Sequence, residues 1–260
     1  MEINNFLIES ALLTHGLASI GGQTMGQMWP ASLNNIAWLD QGRIAIGGMA
    51  EFLPFRSQWR TLRRVDCQQL GQAQTQGLSG ALTASGTMAV CQGLGLPLAV
   101  TSGMGCVGDV PGEELCPDLP ALAELPVALV ATSPKDMLDI NATVQWLRDH
   151  GVTVLGRDEP CCTGYLFLSA RVELDGCLPA GAERPLTPGQ LLLNPIPETN
   201  RLQDLSLLAQ GVAAGKAAKQ RGGYFHPAVN GELDRLTKGY SSLIQFRSLI
   251  ANGELAAKLV

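Results

Sequence analysis

Between Asp66 and Asp109 the chain carries no charged side chain. A stretch of that length without charge is shielded from water, either in a bilayer or inside a folded core. Gly, Gln, Ser and Thr interrupt it every few positions, so it holds no run of about 20 apolar residues able to span a bilayer. It is therefore expected to be buried on several sides or to line a cavity. Composition agrees: 46% of residues are apolar and 16% are charged, too apolar for a disordered chain. With 260 residues one core can be filled. No internal repeat or interior linker divides the chain, so residues 1–260 are read as one domain.

The remaining patterning is that of an α/β protein. Phe6-Leu7-Ile8 is a short apolar run of the kind that forms a buried strand. Asn35–Leu39 and Arg43–Ile46 flank Asp40-Gln41-Gly42, which reads as a β-hairpin around a tight turn. The small and apolar residues from Ala81 to Gly93 suit a packed helix, and Leu96–Thr101 suits a strand. Val127–Ala131 is the clearest buried strand, and Val152–Leu155, Tyr165–Leu168 and Leu191–Leu193 read as further strands. Gly176–Gly189, rich in Pro and Gly, reads as a loop. Helices are expected near Leu202–Gln220 and Ser241–Leu259. Strands alternating with helices imply a mostly parallel sheet with helices on both faces, plus the hairpin.

Charge and thiols narrow the function. The net charge of −5 argues against a nucleic-acid polymer as partner. An anionic small molecule would need a local basic site, and Arg56, Arg60, Arg63 and Arg64 form the one dense basic cluster. It reads either as a solvated helix face or as an anion site. The seven cysteines form no C-x-x-C pair and the three histidines lie far apart, so a structural zinc site is not signalled. Scattered thiols fit a reducing cytoplasm, and Met1–Asn5 has no basic run of the kind that opens a secretory signal. A nucleotide-cofactor oxidoreductase would rest on Gly103-Met104-Gly105 with Gly108 in the third-glycine position. Asp109-Val110-Pro111-Gly112 then reads as loop where that motif needs a helix.

Ser133-Pro134-Lys135-Asp136 carries the signals of a helix start: a capping serine, a first-turn proline and an acid at the capping-box position. Met137, Ile140, Val144 and Leu147 would form its apolar face, and His150-Gly151 its end. Lys135 would then lie in a first turn, where the helix field and burial favour a neutral amine suited to Schiff-base chemistry. The alternative is an exposed lysine reaching into water.

Several segments are colinear with a known pattern. Ala131–Asp139, containing Lys135-Asp136-Met137-Leu138-Asp139, is similar to Gly-Ala-Lys-Ser-Ile-Leu-Asp. Glu9-Ser10-Ala11-Leu12-Leu13-Thr14-His15-Gly16 is similar to Glu-Ser-Thr-Ile-Ile-x-His-Gly. Ser79–Thr83 through Thr87-Met88 is similar to Asn-Gly-Ala-Thr-Thr-x-x-x-Thr-Met, and Asn194–Glu198 matches Asn-Pro-Ile-Pro-Glu outright. From Glu9 to the C-terminus the chain thus resembles the pseudouridine-5′-phosphate glycosidases, also called indigoidine-synthase-A-like proteins.

That resemblance implies a lysine, here Lys135, that forms a Schiff base with ring-opened ribose 5-phosphate so that the bond to uracil can be broken or made. It implies Glu9 as acid/base, and Asp118 as the aspartate holding Mn²⁺ (or Mg²⁺) through retained water. The bland reading of Asp118 is a cap for a short helix near Leu119–Leu125. Arg60, Thr83, Thr87, His15 and Asn194 fall on substrate-binding positions, for a sugar phosphate or nucleotide. The resemblance also implies a homotrimer.

The chain departs from the pattern in places. Arg60 stands for a lysine. Gly105–Asp109 stands for Gly-Gly-Val-His-Arg, which loses an active-site histidine, and Leu243 stands for a substrate-binding asparagine. These changes leave Lys135, Glu9 and Asp118 in place but alter the groups around sugar phosphate and base. Two readings follow: an enzyme with an altered substrate, or a non-catalytic relative that binds a nucleotide, sugar phosphate or protein partner.

Overall fold

A computed structural model describes residues 5–110 and 114–260. The first four residues, read above for a signal, and Pro111-Gly112 of the expected loop lie outside the described residues. Along the chain, β1 (Phe6–Ile8) leads through a π-helical turn (Leu12–Gly16) and α1 (Gly22–Met28) to the hairpin β2 (Ile36–Asp40) and β3 (Arg43–Gly47). Next come α2 (Met49–Arg56), β4 (Arg63–Val65), α3 (Cys67–Thr75), β5 (Gly80–Leu82), α4 (Ala84–Leu94) and β6 (Leu98–Val100). The short β7 (Gly103–Met104), α5 (Asp118–Glu124), β8 (Ala128–Ala131) and the short β9 (Ser133–Pro134) precede α6 (Ile140–Asp149) and β10 (Thr153–Arg157). Then follow β11 (Cys161–Cys162), β12 (Val172–Glu173), β13 (Gly176–Leu178) and β14 (Gln190–Leu193). Three helices close the described chain: α7 (Leu205–Gln220), α8 (Phe225–Leu236) and α9 (Tyr240–Ala256).

The main sheet runs β13-β10-β14-β8-β6-β1-β2-β5-β4, with β3 on β2. From β13 to β2 every pairing is parallel, whereas β3 and β5 both pair antiparallel with β2. Central parallel strands are covered on both faces, so they read as unbroken apolar runs. Their side chains still alternate. Leu7, Ala99, Leu129 and Leu191 join one core with α3, α4, α5 and α6. Phe6, Ile8, Leu98, Val100, Ala128 and Val130 join the opposite core with α1, α2 and α9. This is the expected arrangement of a mostly parallel sheet with helices on both faces. The charge-free stretch supplies α3, β5, α4 and β6, and β5 and β6 lie wholly inside. Among the described residues no helix is long and apolar enough to cross a membrane.

Three expectations need correction. The helix after β8 begins at Ile140, with Asp139 as its cap accepting from Ala142 N at 2.8 Å. Ser133-Pro134 instead pairs with Gly103-Met104, and the Lys135 backbone N–H donates to Cys106 Sγ at 3.1 Å. The start signals around Ser133 are thus taken up by tertiary partners, and the helix-field argument for Lys135 does not apply. Tyr165–Leu168 is not a strand. Its backbone N–H groups go to the Asp136 carboxylate and the Phe167 carbonyl to Arg201, in place of a neighbouring strand. The loop expected over Gly176–Gly189 opens with β13, which pairs with β10 at the sheet edge.

Asn252 of α9 is fully buried at the carboxyl ends of the strands. Its amide nitrogen donates to the Thr101 carbonyl at 2.7 Å and to Thr132 Oγ1 at 2.9 Å, and its oxygen accepts from Asn194 Nδ2 at 3.0 Å. Asn252→Leu keeps the number and branching of the side-chain heavy atoms and leaves these groups unsatisfied. We expect it to cost about 3 kcal/mol of stability, read from urea unfolding midpoints.

Candidate active site

The hydrogen-bond ladder of the sheet continues one residue past the strand ends. Glu9 N donates to the Val100 carbonyl at 3.0 Å, Thr101 N to Val130 at 2.9 Å and Asn194 N to Ala131 at 2.8 Å. Thr132 N reaches Ser102 O at 2.7 Å. The residues after β1, β6, β8 and β14 therefore form one rim. Ser10 stitches β5 to it: its hydroxyl donates to Ala37 O at 2.6 Å and accepts from Leu82 N at 2.9 Å. The rim lies at the carboxyl ends of parallel strands, where open α/β sheets place their ligands.

Glu9 is 6% exposed, and the Thr101 hydroxyl donates to its Oε1 at 2.7 Å. Burial raises its carboxyl above the ordinary value near 4.5. The Thr101 hydrogen bond and the positive charges of Lys135 and Arg64 oppose this, while Asp118 reinforces it. Glu9, Lys135 and Asp118 are therefore within electrostatic reach of one another. Half-buried Lys135 follows β9. Its aliphatic stem packs on Gly103, where an added Cβ would come within 3.1 Å of Lys135 Cγ. The neighbouring Cys106 thiol is pushed by burial up to about 12, so it stays protonated.

Asp118 opens α5 but does not cap it. Its Oδ1 accepts from Ser85 N in the first turn of α4 and its Oδ2 from Gly105 N, both at 2.9 Å. An added Cβ at Gly105 would meet Asp118 Oδ2 at 3.1 Å and clash with Cys116, so this approach requires glycine. Each oxygen keeps a lone pair. Among the described residues no three His, Cys, Asp or Glu side chains are grouped around a common point. One carboxylate with open lone pairs fits a hard divalent ion that retains most of its water, and does not fit zinc.

The other predicted residues are placed less uniformly. Thr83 caps α4, its Oγ1 accepting from Gly86 N, and the Thr87 hydroxyl is spent inside that helix on Thr83 O at 2.8 Å. His15 lies in the π-helical turn, a distortion frequent at functional sites. Its Nε2 is 3.0 Å from the Leu62 carbonyl, and burial lowers its pKa. The basic cluster divides. Arg56 is buried, donating to the carbonyls of Leu13, Leu17 and Ile20, and serves structure. Arg60 is exposed and stacks on Trp59 at 4.7 Å. It is Arg64 whose charge acts on both Glu9 and His15.

Sequence reasoning missed Thr101, Ser102 and Tyr165. Ser102 Oγ lies 2.5 Å from the Tyr165 hydroxyl and 2.6 Å from Ser248 Oγ. The local signal that could have found Thr101 is its place as a polar residue directly after the apolar strand β6. Two cavities are described, neither of them lined by Glu9, Lys135 or Asp118. One of about 160 Å³ is lined by Asn194, Ile196, Ile244, Arg247 and Ser248 on the α9 side. The other, an open cleft of about 590 Å³, is lined by Gly108, Met137, Leu138 and Lys216 among others.

The family model described as indigoidine synthase A like protein matches residues 8–260. The chain belongs to this family. The pseudouridine-5′-phosphate glycosidase of Mesorhizobium japonicum is 29% identical over 97% of this chain and 90% of its own length. That of Thermus thermophilus is 25% identical over 97% of this chain and 95% of its own length. An indigoidine synthase A-like protein from Thermotoga maritima has the same fold, with TM-score 0.79 at 18% identity over 99% of this chain and 94% of that one. So has a prealnumycin C-glycosynthase solved with ribulose 5-phosphate, with TM-score 0.76 at 20% identity over 97% of this chain and 89% of that one.

The raised Glu9 carboxyl has a stability consequence. The folded protein holds this proton more tightly than the unfolded chain does. The stabilisation is full below the unfolded value and is lost as pH rises through the folded one. Glu9→Gln stays neutral throughout. It should gain stability relative to the parent between about pH 4 and about pH 8, read from unfolding midpoints at both ends. A difference independent of pH would refute the burial argument.

Proposed function

We propose that this chain is a pseudouridine-5′-phosphate glycosidase-like enzyme, which breaks or forms the bond between a base-like group and ribose 5-phosphate through a Schiff base on Lys135. The observation that carries the reading is Glu9: a buried carboxyl at a strand end, in electrostatic reach of both Lys135 and Asp118. The names of the curated relatives point the same way.

In the cleavage direction the Lys135 amine attacks the anomeric carbon and the ring C–O bond breaks. The departing ring oxygen takes a proton from Glu9, whose burial favours the protonated acid. Glu9, now a carboxylate, takes a proton from the new secondary ammonium; the freed nitrogen lone pair then expels the base as an anion, which receives that proton from Glu9, and water hydrolyses the iminium to free Lys135 and ribose 5-phosphate. Thr101 fixes the Glu9 carboxyl through its hydroxyl. Arg64, whose charge also acts on this acid, is the proposed partner of the phosphate. A manganese or magnesium ion belongs to the same proposal, held by Asp118 and supplying positive charge to the sugar phosphate.

The aglycone is proposed to differ from uracil. Gly108 occupies the position of the family's histidine and lines the open cleft, so space replaces an imidazole. Leu243 cannot supply the hydrogen bonds of the amide it replaces. Trimeric assembly is carried over from the resemblance; a cytoplasmic site is proposed from the scattered thiols, all seven of which are free.

Sodium borohydride trapping tests the reading. The parent protein incubated with ribose 5-phosphate and Mn²⁺ should gain the mass of the reduced sugar adduct on the peptide containing Lys135. Lys135→Ala should gain none; equal labelling of both proteins would end the Schiff-base proposal. Asp118→Asn should weaken Mn²⁺ binding, seen by calorimetry, by about tenfold or more.

A further inference from the structure

Lys135 is followed by an aspartate where the family pattern has serine. The Asp136 carboxylate accepts four hydrogen bonds from one loop. Its donors are the N–H groups of Tyr165 at 2.7 Å, Leu166 at 2.6 Å and Phe167 at 3.2 Å, and the Ser169 hydroxyl at 2.5 Å. Arg201 serves the carbonyls of the same loop, donating to Gly164 O at 3.1 Å and Phe167 O at 3.3 Å. Most backbone polar groups of this irregular, buried segment are thus satisfied by one anion and one cation, with Leu202 N donating to the Leu166 carbonyl at 2.8 Å. Gly164 makes this possible: its φ is +107°, and an added Cβ would fall 2.7 Å from Asp136 Oδ1.

The clamp fixes Tyr165, which is 1% exposed. Its hydroxyl is anchored on Ser102, so the residue is held at its backbone and at its tip. The ring and the Lys135 stem converge on Gly103. An added Cβ there would lie 2.7 Å from Tyr165 Cε1 and 3.1 Å from Lys135 Cγ. A serine at position 136 has one oxygen with two lone pairs. It would leave at least half of the donors on this loop without an acceptor.

We propose that Asp136 is a positioning residue for Lys135, acting through Tyr165. Its carboxylate replaces the sheet partner that the loop lacks and sets the tyrosine ring as a fixed wall along the lysine stem. The proposal rests on the reading of Lys135 as the Schiff-base lysine. A lysine side chain has several rotatable bonds. A rigid wall removes those orientations in which the amine misses the sugar carbon, which is the orientational part of catalysis.

Asp136→Asn, Asp136→Ser, Tyr165→Ala and Tyr165→Phe test it at a temperature where circular dichroism shows each variant folded. Amide exchange at residues 165–167 reads the clamp. The rate of borohydride trapping with ribose 5-phosphate, and the ribose 5-phosphate concentration that half-saturates it, read the positioning. Both Asp136 variants should lose exchange protection at those amides and slow trapping about tenfold or more, with the half-saturating ribose 5-phosphate concentration within about threefold of the parent. Tyr165→Ala should slow trapping similarly, while Tyr165→Phe, which keeps the wall, should stay within about threefold. Unchanged protection in the Asp136 variants would remove the clamp. Lost protection with unchanged trapping would overturn the positioning role alone, and a parent protein that does not trap would overturn the reading of Lys135 itself. If the Asp136 variants fail to fold, the contrast between Tyr165→Ala and Tyr165→Phe decides.

Discussion

The site depends on the registry of a parallel ladder that does not stop where its strands stop. The bonds from Glu9 to Val100, from Thr101 to Val130 and from Asn194 to Ala131 fix the first residue beyond each strand as firmly as the strands themselves. Parallel pairing sets the neighbours to a common direction, so these residues share one end of the sheet. A one-residue slip in any strand would turn its rim side chain to the opposite face. The apolar alternation of β1, β6 and β8 into two separate cores forbids such a slip. Core packing and site geometry are in this sense one constraint.

Around that rim, charged and amide side chains perform the role that regular structure performs elsewhere. Arg56 closes the carbonyls of the π-helical turn behind Glu9. Asn252 binds α9 to the ends of β6 and β8. Asp136 and Arg201 together satisfy the loop that carries Tyr165. A buried backbone group without a partner costs about as much as a lost hydrogen bond, often more. Irregular segments can therefore stay buried only where such side chains reach them. This is why so many polar residues of the chain lie inside without belonging to the reacting group.

Electrostatics separates the two acids. Asp118 accepts two backbone N–H groups, which suit a carboxylate. Glu9 is buried and accepts from the Thr101 hydroxyl, and burial raises its carboxyl above the ordinary value. The two carboxyl groups thus sit in different environments.

Much of this was readable from residues alone, for a local reason. Apolar runs such as Val127–Ala131 are strands because a buried parallel sheet demands continuous hydrophobicity; Lys135 was marked by its place after such a run together with the family resemblance, and Glu9 by that resemblance. Helix α3, with its glutamines, and α2, with Pro54 inside, have weak local signals and escaped notice. What only the tertiary structure decided was the use of each signal. Ser133 has a capping side chain and Tyr165–Leu168 has strand composition, but a partner from a distant part of the chain claimed each backbone first. Local sequence offers a backbone group its options. The packed chain chooses among them, because only there do Gly103, Asp136 and Arg201 come close enough to compete.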